Sequence, residues 1–359
     1  IHGDDDASVG VGVWHGFFIL VINNTSCQAN GRLSIANLLI KTQEQVSFFA
    51  IKIVSCKIQI TTYTKVITTP KGALTMKTST KVHLLIIDPQ NDFCDIPVAE
   101  QPADPLAAGR KLAPALPVTG ADQDMKRLAA FIDRAGNKLF DIHVTLDSHN
   151  PIDIAHPTWW TNDKGQAPAP FTVITAKDIA AGLWRSRNPL LQERSRQYVE
   201  QLDAAQRYAL VVWPEHCLIG HWGHNVHAAV TQSLDAWARK KLDVVDYVTK
   251  GSNPFTEHYS AVQAEVPDPS DPGTLLNSRL IRTLSDADVV IVAGEALSHC
   301  VANTVRDIAS NFGEDNIKKL VLLTDCCNSV GGFEQLGKDF VAEMSARGMK
   351  TARSTDYML

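Results

Sequence analysis

Nowhere in this 359-residue chain do two cysteines stand in the Cys-x-x-Cys spacing of a structural zinc site. The seven cysteines, at 27, 56, 94, 217, 300, 326 and 327, are odd in number and irregular in spacing. That argues against a disulfide framework and suits a reducing, cytoplasmic compartment. Positive charge is in short supply too: 34 Lys and Arg face 39 Asp and Glu, for a net charge of −5. There is no electrostatic case for nucleic acid or an anionic membrane as partner. The apolar stretch at residues 11–21 is too short to span a bilayer. The acidic opening Ile1-His-Gly-Asp-Asp-Asp lacks the basic start of a secretory leader. Internal repeats are absent as well. What is present, 45% hydrophobic and 20% charged, is ordinary for a soluble globular protein of one large domain or two modest ones.

The first 75 residues differ from the rest. Residues 46–69 are β-rich but show no partner pattern. Met76 opens Met-Lys-Thr-Ser-Thr-Lys-Val-His-Leu-Leu-Ile-Ile-Asp, which reads as a natural start. Residues 1–75 are therefore expected to be an appendage, upstream sequence translated from an early start, and residues 76–359 the functional domain.

From residue 81 apolar runs alternate with helical patterns. Strands are expected at 82–87, 139–146, 242–248, 288–293 and 319–324, with an edge strand at 350–354. Helices are expected at 124–136 and 226–240, and another after Cys300. This alternation predicts a three-layer α/β/α fold around a mostly parallel central sheet. Residues 157–212, with a Pro-rich piece and a charged helical stretch, read as an insertion over the sheet edge or the site. In such sheets ligands bind beyond the carboxyl ends of the strands. Asp88, Asp147, Lys250 and Cys300 all fall just past a strand end.

Cys300 follows strand, turn and the beginning of a helix, where unpaired N–H groups and the macrodipole favour a thiolate with a depressed pKa. The alternative is a buried, inert thiol. Asp88 has the chemistry of a general base and acid, and Lys250 that of a cation poising the thiol. Asp147, His149, His156 and His216 offer one carboxylate and three imidazoles, a donor set that accepts Zn²⁺, Fe²⁺ or Mn²⁺. Cys326 and Cys327 read as packing residues.

Five segments resemble, in order, the motifs of the nicotinamidase and isochorismatase-like cysteine hydrolase superfamily. They are Ile87-Asp-Pro-Gln-Asn-Asp-Phe93, Asp147-Ser-His149, Trp213-Pro-Glu-His-Cys217, Lys250-Gly251 with Glu257-His-Tyr-Ser-Ala261, and Gly294 through Cys300-Val301. The metal motifs and Trp213 point to the nicotinamidase (pyrazinamidase) branch. The resemblance implies Cys300 as nucleophile, Asp88 as base and then acid, and Lys250 as third member of the triad. It implies Asp147, His149 and His216 as ligands of one divalent ion, Zn²⁺ before Fe²⁺ or Mn²⁺, with His156 a candidate fourth. Phe93 and Trp213 would sandwich a pyridine ring. Ala296 and Cys300 N–H groups would form an oxyanion hole, next to a cis peptide before Ala296. The chain departs from the pattern in four places, one of them the spacing from Asp147 to His156, which is one residue longer than in small bacterial nicotinamidases. Ser148 replaces a Trp, Glu295 brings a charge beside the cis bond, and the 157–212 insertion is long.

The expected activity is hydrolysis of nicotinamide to nicotinate and ammonia by a cytoplasmic enzyme of NAD salvage. The same chemistry on another small amide or ureido substrate is the second reading. A non-catalytic metal-binding or interaction protein is the third. The partner is a small-molecule amide, and a homo-oligomer is a family expectation.

Overall fold

The computed structural model describes residues 80–205 and 207–358, together with the backbone of five strands between residues 9 and 65. The chain divides into two compact units, Ile1–Thr78 and Ser79–Leu359. In the first, Val9–Trp14 pairs antiparallel with Phe17–Ile22. Ile35–Lys41, Val46–Val54 and Lys57–Lys65 form a separate antiparallel three-stranded sheet. The β-rich stretch from 46 therefore does have partners, contrary to the sequence reading. Only two residues separate the last two strands, the spacing of a tight hairpin.

In the second unit six parallel strands form one sheet: β1 (Val82–Ile87), β2 (Asp141–Asp147), β3 (Asp246–Lys250), β4 (Val289–Gly294), β5 (Leu320–Leu323) and β6 (Lys350–Ala352). Their order is β3-β2-β1-β4-β5-β6. Every residue of β1 is buried and all but His83 are apolar, as a central parallel strand requires. Leu84 and Ile86 pack with α1 (Ala121–Ala135) and α2 (Ala228–Lys241). Leu85 and Ile87 pack with α3 (Ser278–Ser285), α4 (Ala302–Phe312) and α5 (Glu334–Ala346). The three-layer α/β/α expectation is met.

The chain winds outward in one direction from β1 and in the other from β4. A crevice opens at the carboxyl ends where these two strands lie side by side. Their contact is very close there. A Cβ on Gly294, at φ +121°, would sit 2.0 Å from the Ile87 carbonyl oxygen. The residues after both strands, Asp88 and the Cys300 turn, are thereby delivered to one place.

Residues 157–212 build a satellite core on Ile154, Trp159, Trp160, Tyr198, Val199 and Leu202. Its longest helix is Gln192–Ala205. Among the described residues no helix is long and apolar enough to cross a membrane.

Candidate active site

Asp88 ends β1 in a left-handed backbone conformation, φ 44°. Thr145 on β2 braces it twice. The Asp88 N–H donates to Thr145 Oγ1 at 3.0 Å, and that hydroxyl donates to Asp88 Oδ1 at 2.5 Å. Lys250 ends β3, fully buried. Its Nζ is 3.0 Å from Asp88 Oδ2, 3.0 Å from Asp147 Oδ1 and 3.8 Å from Cys300 Sγ. Gly251 follows with φ +81°, and a Cβ there would meet Asp147 Oδ1 at 2.8 Å. Glycine lets the turn close against that carboxylate.

Electrostatics follow from burial and pairing. Burial pushes the Asp88 carboxyl up, against the pull of Lys250. Burial opposes the Lys250 ammonium, but Asp147 and Asp88 hold its pKa well above the usual value. Burial also raises the Cys300 thiol well above its ordinary pKa, and Lys250 only partly offsets this. The expectation of a depressed thiol pKa is thus corrected. Cys300 lies inside a π-helical turn, Leu297–Val301, that precedes α4. It is 6% exposed, so loss of hydration outweighs the N-terminal field.

The four metal-type residues converge. Asp147 Oδ2 is 3.1 Å from His149 Nε2 and 3.4 Å from His216 Nε2. His149 Nδ1 is 3.1 Å from Asp153 Oδ2, and His216 Nδ1 is 2.7 Å from the Pro214 carbonyl oxygen. Those acceptors take the Nδ1 protons and turn both Nε2 lone pairs inward. His149 Nε2 is buried without a hydrogen-bond partner. His156 completes a buried group with His149 and His216, its Nε2 3.4 Å from His216 Nδ1. Burial lowers its pKa to about 2, so it is neutral and able to donate a lone pair. His149 behaves oppositely. Burial opposes its charge, but Asp147 and Asp153 hold its pKa well above the usual range. The position calls for positive charge. Donors bound at about 2.0–2.2 Å around one ion stand about 3.0–3.5 Å apart, so Asp147 Oδ2 with the Nε2 atoms of His149 and His216 fits a divalent cation, while His156 Nε2 lies by the Nδ1 edge of His216.

A narrow cleft joins the two groups. Phe93, Trp213, Ala296, Cys300, Asp147 and His216 line it. Trp213 is fixed by its Nε1 donating to the Tyr259 hydroxyl at 2.9 Å. The Glu295–Ala296 peptide is cis. Burial, then Asp124, pushes the Glu295 carboxyl well above the usual range, which disfavours the charge expected there.

Sequence reasoning passed over several residues. Gln90 holds the Asp147 backbone from both sides, accepting from its N–H at 2.7 Å and donating to its carbonyl at 2.7 Å. Asp92 accepts from the Cys217 N–H at 2.7 Å and the Ala115 N–H at 3.0 Å, which ties two motifs together. Both sit in the opening motif, where a polar residue after a buried strand was the available signal. Glu257 and His299 also line the cleft. Asp153, four residues after His149, carried no signal of its own.

No protein-family model matches the chain, and no curated protein matches it. Among solved structures the chain is similar to a nicotinamidase/pyrazinamidase of Acinetobacter baumanii, at 19% identity and TM-score 0.49, covering 79% of this chain and 100% of that one. It is also similar to a yeast nicotinamidase bound to the inhibitor nicotinaldehyde, at 17% identity and TM-score 0.47, covering 76% and 99%. A pyrazinamidase of Pyrococcus horikoshii in complex with zinc matches at 17% identity and TM-score 0.43, covering 76% and 99%.

Proposed function

We propose that the chain is a metal-dependent cysteine amidohydrolase that turns nicotinamide into nicotinate and ammonia. One observation carries this reading: Lys250 Nζ stands within 3.0 Å of Asp88 and 3.8 Å of Cys300 Sγ, next to a cleft walled by Phe93 and Trp213. Catalysis is assigned to residues 76–359 and none of it to residues 1–75.

Asp147, His149 and His216, with His156 beside them, would hold a divalent ion, Zn²⁺ first. When bound, such an ion supplies positive charge and Lewis acidity at that wall of the cleft. Phe93 and Trp213 fix a flat ring between them. The Cys300 S–H proton passes to Asp88 as sulfur bonds to the carboxamide carbon, and the carbonyl π electrons move onto oxygen. The N–H groups of Ala296 and Cys300 receive that oxyanion. The C–N bond breaks as Asp88 gives its proton to nitrogen, and ammonia leaves a thioester on Cys300. Water attacks the thioester carbon and loses a proton to Asp88. The C–S bond then breaks, sulfur regains the proton, and nicotinate departs. The raised thiol pKa suits this sequence, because the thiolate forms only when Asp88 is in place to take the proton.

A second reading keeps the same bond chemistry on another small amide or ureido compound. Glu257 and His299 favour it, since both put polar groups in the cleft that nicotinamide does not require.

The test is ammonia release from nicotinamide by the full-length chain, wild type beside Cys300→Ala, with and without a chelator. Turnover that disappears in the variant and after chelation is the expected result. No release from wild type supplied with Zn²⁺, Fe²⁺ or Mn²⁺ rejects nicotinamide as substrate.

A further inference from the structure

The amino-terminal end of the sheet, opposite the Cys300 crevice, carries a second set of ligand-type side chains. His83 on β1 pairs in register with Asp141 on β2, and His143 on β2 with Asp246 on β3. All four side chains therefore share one face of the sheet. His83 is 3% exposed and His143 is 0% exposed. Two imidazoles buried on a sheet face are costly unless something uses their lone pairs.

His143 Nδ1 lies 2.9 Å from Asp246 Oδ2, and Arg279 holds Asp246 from the other side. A carboxylate that takes the Nδ1 proton leaves the Nε2 lone pair free, the usual arrangement behind a metal-bound histidine. That lone pair faces His83 Nδ1 at 2.9 Å, with Asp141 Oδ2 3.8 Å from it. Two nitrogens on one tetrahedral ion at about 2.0–2.1 Å stand about 3.3 Å apart, so this pair would open by about 0.4 Å to admit one. The His83 Nε2, on the edge of the ring away from His143, is buried with no hydrogen-bond partner. The Asp141 side chain is 29% exposed, which leaves the cluster an opening to solvent.

We propose that His83, Asp141 and His143 form a second metal site, for an imidazole-preferring divalent ion of the zinc type, with Asp246 orienting His143 from behind. Two imidazoles with one carboxylate select such an ion over Mg²⁺ or Ca²⁺. Lys81 and Lys241, both over the Phe140 ring, oppose a cation here. Asp141, Asp243 and Asp246 supply the compensating negative charge. The competing arrangement is a single proton shared between His83 Nδ1 and His143 Nε2.

Metal counting decides between them. The full-length chain is stripped with a chelator, reloaded with Zn²⁺, dialysed and analysed by inductively coupled plasma mass spectrometry. Two ions per chain are expected, falling to one in His143→Gln and also to one in His149→Ala, each through loss of a different site. Asp141→Asn changes a partly exposed residue and leaves the core intact. It should weaken the second ion at least about tenfold with ammonia release unchanged. A single ion that His149→Ala removes and His143→Gln retains overturns the proposal and leaves only a histidine–histidine hydrogen bond. Two ions bound with undiminished affinity in both His143→Gln and Asp141→Asn overturn it as well. A single ion lost in His143→Gln but kept in His149→Ala supports this site and sinks the ion site beside Cys300.

Discussion

Lys250 Nζ lies 3.0 Å from one oxygen of Asp147, while the other oxygen of that carboxylate lies 3.1 Å from His149 Nε2. One side chain thus couples the proton-transfer group to the proposed ion site. Lys250→Met keeps the stem and removes the charge. Ammonia release should fall by on the order of 10³ or more. The ion at Asp147 should bind more tightly, because a competing cation has gone. Stability should drop by about 3–5 kcal/mol, since Asp88 and Asp147 lose a buried partner. Competition with a zinc-binding dye, alongside denaturant melts, reads both effects. Weaker ion binding in the variant would contradict the coupling.

The raised Cys300 pKa makes the resting thiol sluggish. Iodoacetamide should alkylate it more slowly than glutathione at neutral pH, and its rate should still be rising above pH 9. Peptide mapping by mass spectrometry follows the residue directly. Alkylation faster than glutathione at pH 7 would show that the Lys250 charge outweighs burial.

Glu265 provides a pH-dependent contribution away from the chemistry. It is buried, 3.8 Å from Arg207 Nε, with Oε1 unpartnered. Burial lifts its pKa from 4.5 to about 7. Between those values the folded chain holds more of this proton than the unfolded chain does, so stability falls as pH rises and levels off above about 7. The loss is on the order of 2–3 kcal/mol. Glu265→Gln should flatten that slope, and urea melts at pH 5 and pH 8 measure it. Equal slopes in variant and wild type would refute the assignment.

Gly294→Ala should be among the most damaging single changes. The new methyl would press on the Ile87 carbonyl in a backbone conformation that alanine rarely adopts. A loss of about 3 kcal/mol or more is expected, with activity abolished because β1 and β4 separate at the crevice. Circular dichroism melts and ammonia release test it. A variant of wild-type stability would mean that the strands do not touch there.

Much of this geometry was legible in the sequence, because apolar runs that stop at Asp88, Asp147, Lys250 and Gly294 mark strand ends directly. Element edges were less so. α2 begins at Ala228 because His227 Nδ1 accepts from the Ala229 N–H and caps it. β3 begins at Asp246, later than its apolar pattern suggests, because the helix runs to Lys241 and closes on left-handed Leu242. Protonation states were out of reach, since burial at Cys300 and Glu295 depends on neighbours far along the chain. The partners of the histidines were hidden for the same reason. The Pro214 carbonyl oxygen carries no sequence signal, and Asp153 resembles any loop aspartate.

Asp141, His143, Thr145 and Asp147 alternate along β2 on one face, and Ile142 and Val144 pack on the other. Sliding this strand by one residue would drive two aspartates and a histidine into the oily layer beneath α1 and α2 and strand two aliphatics among ions. The strand's alignment is therefore guarded by charge as well as by grease. Frame-shifted versions of this sheet are disfavoured by the same side chains that are proposed to hold protons and cations at its two ends.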